Sequence, residues 1–260
     1  MSDKITDCQV VRRPKITDCH DVYSAILCTS ATQPSTRNTR YLDILRFPFH
    51  VGYAQNALQT GCSMVTPQFL NIGEGYLNLQ SIFPTGDDTS DNIYIQTLDA
   101  AGRTLASYGW NDWANDNVCW VDDDYAPVEG ITFAPGQGLW VQGLSEAQGV
   151  QTAGKVASED ITVVLRTGCT AAGNPFPVAI DLQSIIAEGD DTSDNVYIQT
   201  LDAAGRTVSS YGWNDWACDE PCWVNDDYEM VTGVMFAPGQ GLWVQGLSAG
   251  QSIRFTAPEL

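Results

Sequence analysis

The chain has 260 residues, 43% of them hydrophobic, which is length and apolar content enough for more than one ordinary core. Acidic residues outnumber Lys and Arg by 32 to 12, for a formal charge of −20. That balance argues against a nucleic-acid partner and an anionic membrane surface, both of which ask for basic side chains, and suits a soluble or cation-binding protein.

The first 44 residues stand apart. They hold three of the eight cysteines, half of the Lys and Arg, and the string KITDC twice, at 4–8 and 15–19. They lack the apolar stretch of a signal peptide, and no apolar run in the chain has the length of a membrane-spanning helix. An irregular leader or interaction tail is expected over 1–44.

From there the chain repeats itself. Residues 86–145 align with 189–248 at a constant offset (Gly86 to Gly189), and 48 of the 60 positions are identical. Upstream, ALQTGCSMVTPQF (57–69) matches VLRTGCTAAGNPF (164–176), with four extra residues in the first copy before LNLQSI (77–82) rejoins IDLQSI (180–185). A unit of this length is a domain rather than a solenoid repeat. The expected division is 45–153 and 154–260.

Within each copy the pattern is β. In 91–110, Ile93 and Ile95 alternate with Tyr94 and Gln96, DAAG breaks the run, and a second β-prone stretch returns, which predicts a hairpin. ITFAPGQGLWVQGLS (131–145) predicts another, with PGQG as its turn and with Leu139 and Val141 opposite Trp140 and Gln142. EDITVVLRTG (159–168) predicts a further strand. No long amphipathic helix is legible. The expected fold is all-β: two tandem, near-identical β-sandwich domains after an irregular N-terminal segment.

Both histidines, His20 and His50, precede the aligned stretches of the repeat, which start at 57 and 164, so these offer no histidine for a Ser-His-Asp triad, a Cys-His pair or a His-rich zinc site. The acidic loop GDDTSDN occurs twice. Asp87, Asp88, Asp91 and Asn92, mirrored by Asp190, Asp191, Asp194 and Asn195, offer the hard oxygen ligands that calcium takes, or else form a turn that bonds to its own backbone. A second acidic run, VDDDY (121–125) and VNDDY (224–228), could join the loop in space.

All eight tryptophans lie in the copies, four in each. Trp110, Asn111, Asp112, Trp113 and Trp120, with Trp213, Asn214, Asp215, Trp216 and Trp223, combine flat apolar rings with polar groups. That is what a glycan or another surface partner would need, although buried structural tryptophan is the common use. Asp112 and Asp215 also raise the alternative of a secreted glycoside hydrolase, which needs two carboxyls at a fixed separation. Cys218 and Cys222, in CDEPC, could close a small disulfide loop, the alternative being free or buried thiols.

GNPFP (173–177), YIQTLDAAGR and APGQGLWVQG (237–246) resemble a pattern in secreted and cell-surface bacterial β-sandwich repeat proteins. The likeness covers roughly residues 50–257. In the first copy TPQF (66–69) replaces GNPF. The resemblance implies a sandwich fold and an extracellular or cell-surface location, and transfers no catalytic residue. The residues and the resemblance together lead to the expectation of a non-catalytic surface protein that binds a glycan or another surface partner, with structural self-assembly as the alternative.

Overall fold

The computed structural model describes residues 51–72, 75–113, 118–145 and 148–259. The segment 1–44, on which the leader was expected, lies outside them. Among the described residues the regular structure is β-strand, apart from two short 3-10 turns at Leu79–Ser81 and Leu182–Ser184. Among these residues no helix is long and apolar enough to cross a membrane.

The first copy contributes β1 (Val51–Ala57), β2 (Gly61–Val65), β3 (Leu77–Asn78), β4 (Ile82–Thr85), β5 (Ile93–Leu98), β6 (Thr104–Asn111), β7 (Cys119–Val121), β8 (Thr132–Phe133), β9 (Leu139–Gly143) and β10 (Gly149–Lys155). The second contributes β11 (Ile161–Val164), β12 (Gly168–Gly173), β13 (Ile180–Asp181), β14 (Ile185–Glu188), β15 (Val196–Leu201), β16 (Thr207–Asn214), β17 (Cys222–Val224), β18 (Met235–Phe236), β19 (Gly241–Gly246) and β20 (Ser252–Phe255). Each set forms a three-stranded sheet (β1-β10-β4; β11-β20-β14), a five-stranded sheet (β2-β9-β5-β6-β7; β12-β19-β15-β16-β17) and a two-stranded ribbon (β3-β8; β13-β18). All pairings within these sheets are antiparallel. β10 runs through Lys155, so the first set of strands ends two residues beyond the expected division at 153.

Alternation explains the cores. Ile93, Ile95, Leu139 and Val141 are buried while Tyr94, Gln96, Trp140 and Gln142 are only partly so. Ile93 and Ile95 meet Ile82 and Val150 of the three-stranded sheet in one cluster, and Val196, Ile198, Ile185 and Ile253 repeat this in a second. The buried members of each cluster come from a single copy.

The DAAG segment forms the hairpin turn between β5 and β6. The Asp99 carboxylate accepts from the backbone N–H of Ala101 and of Arg103 (both 2.8 Å) and from Arg103 Nε (2.8 Å). Asp202 does the same with Ala204 and Arg206. The backbone N–H and then the guanidinium of Arg103 hold the Asp99 carboxyl below its ordinary range; at Asp202 the Arg206 guanidinium leads. The PGQG segment differs from its expectation. It does turn, with Gln137 N donating to Ala134 O at 3.0 Å, but β8 pairs with β3 and β9 pairs with β2 and β5. It is a corner between sheets, because Phe133 and Leu139 are buried in one core from different directions rather than across one ladder.

The glycines of that corner also serve the contact between the copies. A Cβ on Gly138 would sit 2.7 Å from the backbone of Ala171 and Ala172, and one on Gly241, its counterpart, 2.5 Å from the Met64 carbonyl carbon. The contacts are reciprocal. Thr66 N donates to Gly239 O (2.8 Å) as Gly173 N donates to Gly136 O (3.1 Å); Cys62 N reaches Ala203 O (3.4 Å) as Cys169 N reaches Ala100 O (3.0 Å). These two kinds of backbone pair each have their mirror, as at the self-complementary interface of a two-fold dimer, here within one chain. The outer edges of β2 and β12 are thereby covered.

Two outcomes follow. Gly138→Ala and Gly241→Ala should each lower the unfolding free energy in urea by about 2–4 kcal/mol, because backbone must move to admit the methyl. Gly130→Ala, at a positive φ in open space, should cost only about 1 kcal/mol. Stabilisation from Asp99 and Asp202 should be complete above the ordinary carboxyl pKa and disappear as pH falls through their lowered values. An Asp99→Asn, Asp202→Asn double variant should therefore show a flatter decline of melting temperature on acidification.

Candidate functional site

Packing gives the four tryptophans of each copy four different settings. Trp120 and Trp223 are fully buried, and their indole N–H groups donate to the carbonyls of Ile82 and Ile185 (2.9 and 2.6 Å). Trp110 and Trp213 pack edge-on against them at a centroid distance of 5.2 Å in both copies. Trp140 and Trp243 sit half-buried on the opposite face of β9 and β19 from the core residues. Trp113 and Trp216 are 62% and 61% exposed. A buried ring has no face left for a ligand, so of the expected binding tryptophans only Trp113 and Trp216 present a broad one.

These exposed rings are held in place. Trp113 Nε1 donates to Asp91 Oδ2, and Trp216 Nε1 to Asp194 Oδ2. The same carboxylates accept through Oδ1 from Asn111 and Asn214, both nearly fully buried, at 3.0 Å. Asn111 Oδ1 in turn accepts from the backbone N–H of Trp113. Asp91 and Asp194 lie at positive φ, 55° and 57°, a strained conformation that Asp tolerates better than most residues. The acidic loop and the WNDW segment are therefore one unit, and part of its acidity is spent on anchoring an aromatic ring.

The second acidic run closes the unit from the other side. Trp113 packs on Tyr125 (5.2 Å, tilted) and Trp216 on Tyr228 (4.9 Å). Tyr125 and Tyr228 are themselves about half exposed, at φ of 60° and 59°. Tyr94 lies between the two runs: burial first, then the charges of Asp91 and Asp123, push its phenol above the usual value. Burial and Asp194 do the same at Tyr197. Each copy thus shows an exposed Trp–Tyr pair bordered by carboxylates.

The remaining expected residues fall as follows. Asp112 and Asp215 are exposed, and their backbone N–H groups donate to Ser90 and Ser193 Oγ. Asp87, Asp88, Asp190 and Asp191 are exposed in the acidic loop, and Asn92 and Asn195 carry the loop into the strand, each accepting through its carbonyl from Leu144 or Leu247 N. Among the described residues no three His, Cys, Asp or Glu side chains converge into a group able to hold a metal ion. Cys218 and Cys222 are joined by a disulfide with a Cα separation of 6.4 Å.

One pair of positioning residues had no motif to announce it. Gln148 and Gln251, almost completely buried, each tie the acidic loop to the turn after β9 or β19. Gln148 Nε2 donates to Asp88 O (2.8 Å) while its Oε1 accepts from Ser145 N; Gln251 bridges Asp191 O (2.7 Å) and Ser248 N. They lie just past the end of the aligned block, where the copies read SEAQ (145–148) and SAGQ (248–251). Their shared position in the repeat was the available signal.

Asp91→Ala removes two side-chain hydrogen bonds and leaves the Asn111 amide buried. It should cost about 1–3 kcal/mol in chemical denaturation and move Trp113 emission toward that of free tryptophan. Asp87→Ala, at an exposed position, should change stability by less than about 0.5 kcal/mol. No family model matches the chain, and no match is found among curated proteins or among solved structures.

Proposed function

We propose that this chain is a non-catalytic extracellular or cell-surface protein of two β-sandwich domains, each offering a Trp–Tyr platform to a glycan on a surface partner. The observation that carries it is the exposed Trp113–Tyr125 pair, repeated as Trp216–Tyr228, with each indole tethered through Nε1 to a carboxylate of the acidic loop. Large aromatic rings left in water are costly unless used, and ordering them in advance lowers the entropic cost of binding. Sugar rings present C–H faces to an indole and hydroxyls to neighbouring carboxylates and amides, and both kinds of group border the platform.

The sandwich assignment is supported by two separate cores, each enclosed between a three-stranded and a five-stranded sheet. The disulfide in the second copy fits an oxidising compartment, in line with a surface location. Two equivalent platforms on one chain favour avidity for a repeating ligand over a single reactive centre.

The test is a glycan array probed with the parent chain and with Trp113→Ala, Trp216→Ala. The double variant should keep its melting temperature within a few degrees and lose about tenfold or more in apparent affinity, with each single variant intermediate. A folded double variant that binds the same glycans as the parent with equal strength overturns the proposal.

A further inference from the structure

Between the copies lies a groove of about 310 Å³ whose walls repeat across the reciprocal interface. Gln96, Thr104 and Trp140 line it from the first copy, and their counterparts Gln199, Thr207 and Trp243 from the second. Leu98 and Leu201 complete each half. Each indole lies along the turn of the opposite copy: a Cβ on Gly205 would be 3.3 Å from Trp140, and one on Gly102 would be 3.4 Å from Trp243. The hairpin turns that carry these glycines are the ones fixed by Asp99 and Asp202. Each half of the groove is therefore built from strand residues and from a hairpin turn held by its own Asp side chain.

The lining is chemically selective. In a chain with 32 acidic residues, no carboxylate and no basic group among the described residues lines this groove. It offers two indoles, two primary amides and two hydroxyls. Thr104 and Thr207 Oγ1 each donate to the Gln96 or Gln199 Oε1 at 3.4 Å, which leaves the amide N–H groups of both glutamines to donate. Neutral donors beside aromatic faces, with no fixed charge, suit an uncharged polyhydroxylated ligand and give a cation or an anion nothing to pair with. The volume falls at the lower end of small-ligand sites.

We propose that this groove is a third site, distinct from the two Trp–Tyr platforms, and that it takes one neutral oligosaccharide per chain, lying across the pseudo-two-fold axis with an indole from each copy against it. Single occupancy follows because the two halves face one shared space. It also gives the duplication a role that one copy cannot supply, since half of the lining comes from each.

The experiment follows the indole N–H resonances of the 15N-labelled full chain, assigned by substitution, during titration with neutral gluco-, manno-, galacto- and xylo-tetraoses at millimolar concentration. At least one should shift the Trp140 and Trp243 signals together, with one-to-one saturation. Thr104→Tyr, Thr207→Tyr fills the groove from two exposed strand positions without adding an indole, and should weaken those shifts about tenfold or more. Trp113→Ala, Trp216→Ala should leave them unchanged. Movement confined to Trp113 and Trp216 would support the platforms and overturn the groove. So would silence at Trp140 and Trp243 with every sugar, or groove shifts that persist in the filled variant while its melting temperature stays that of the parent.

Discussion

The backbone-to-backbone contact at Gly138 and Gly241 is the constraint on which the arrangement of the copies rests. At each position a side chain would overlap the main chain of the other copy, so the corner can close only where Cβ is absent. Because the contact is reciprocal, the same short segment is used twice, and one set of glycines satisfies both sides. The hydrogen bonds from Thr66 and Gly173, and from Cys62 and Cys169, then cover two strand edges that would otherwise expose unpaired backbone groups. The groove with its paired tryptophans exists because this contact fixes where the two β5–β6 and β15–β16 turns stand.

Duplication preserved the surface units more closely than the cores. In the second copy Arg254 binds Glu188 at 2.5 Å and Asp160 at 2.7 Å, and Cys218–Cys222 staples the segment before β17. At the positions equivalent to Arg254 and Glu188 the first copy carries Gln151 and Thr85. It also buries Thr66 and Thr152, whose hydroxyls have no hydrogen-bond partner, where the second has Gly173 and Phe255. Unpaired buried hydroxyls cost about 1–3 kcal/mol each, so the second copy is the better-reinforced half. The ion pairs add little to that difference, since their groups are partly exposed and screened. The Trp–Tyr units, in contrast, share the two carboxylate bonds of Asp91 and Asp194, one to an Asn amide and one to a Trp indole.

The acidic loop illustrates how charge can serve geometry. Asp91 and Asp194 each hold one amide and one indole through two oxygens, at a backbone conformation few residues accept. Gln148 and Gln251 then pin the loop carbonyls from beneath. Such a network restricts the orientation of an exposed ring, and restriction before binding lowers the entropic cost of any contact the ring makes.

The sequence by itself determined the strand periods, the β5–β6 hairpin with its Asp-Gly turn, the duplication, and the buried alternation of Ile93, Ile95, Leu139 and Val141. These are local properties, set by side-chain alternation and turn chemistry within a few residues of chain. It also made the aromatic and acidic segments visible, but not their division of labour. Which tryptophan is core, which is brace and which is exposed depends on neighbours far along the chain, such as Ile82 for Trp120 and Asp91 for Trp113. The PGQG segment looked like a hairpin because turn residues report a reversal and not the sheet to which each arm goes. Only tertiary packing decided that it is a corner between sheets, that its glycines face the other copy, and that two half-grooves meet there. Those outcomes turn on the shape of two surfaces brought together, which no local pattern encodes.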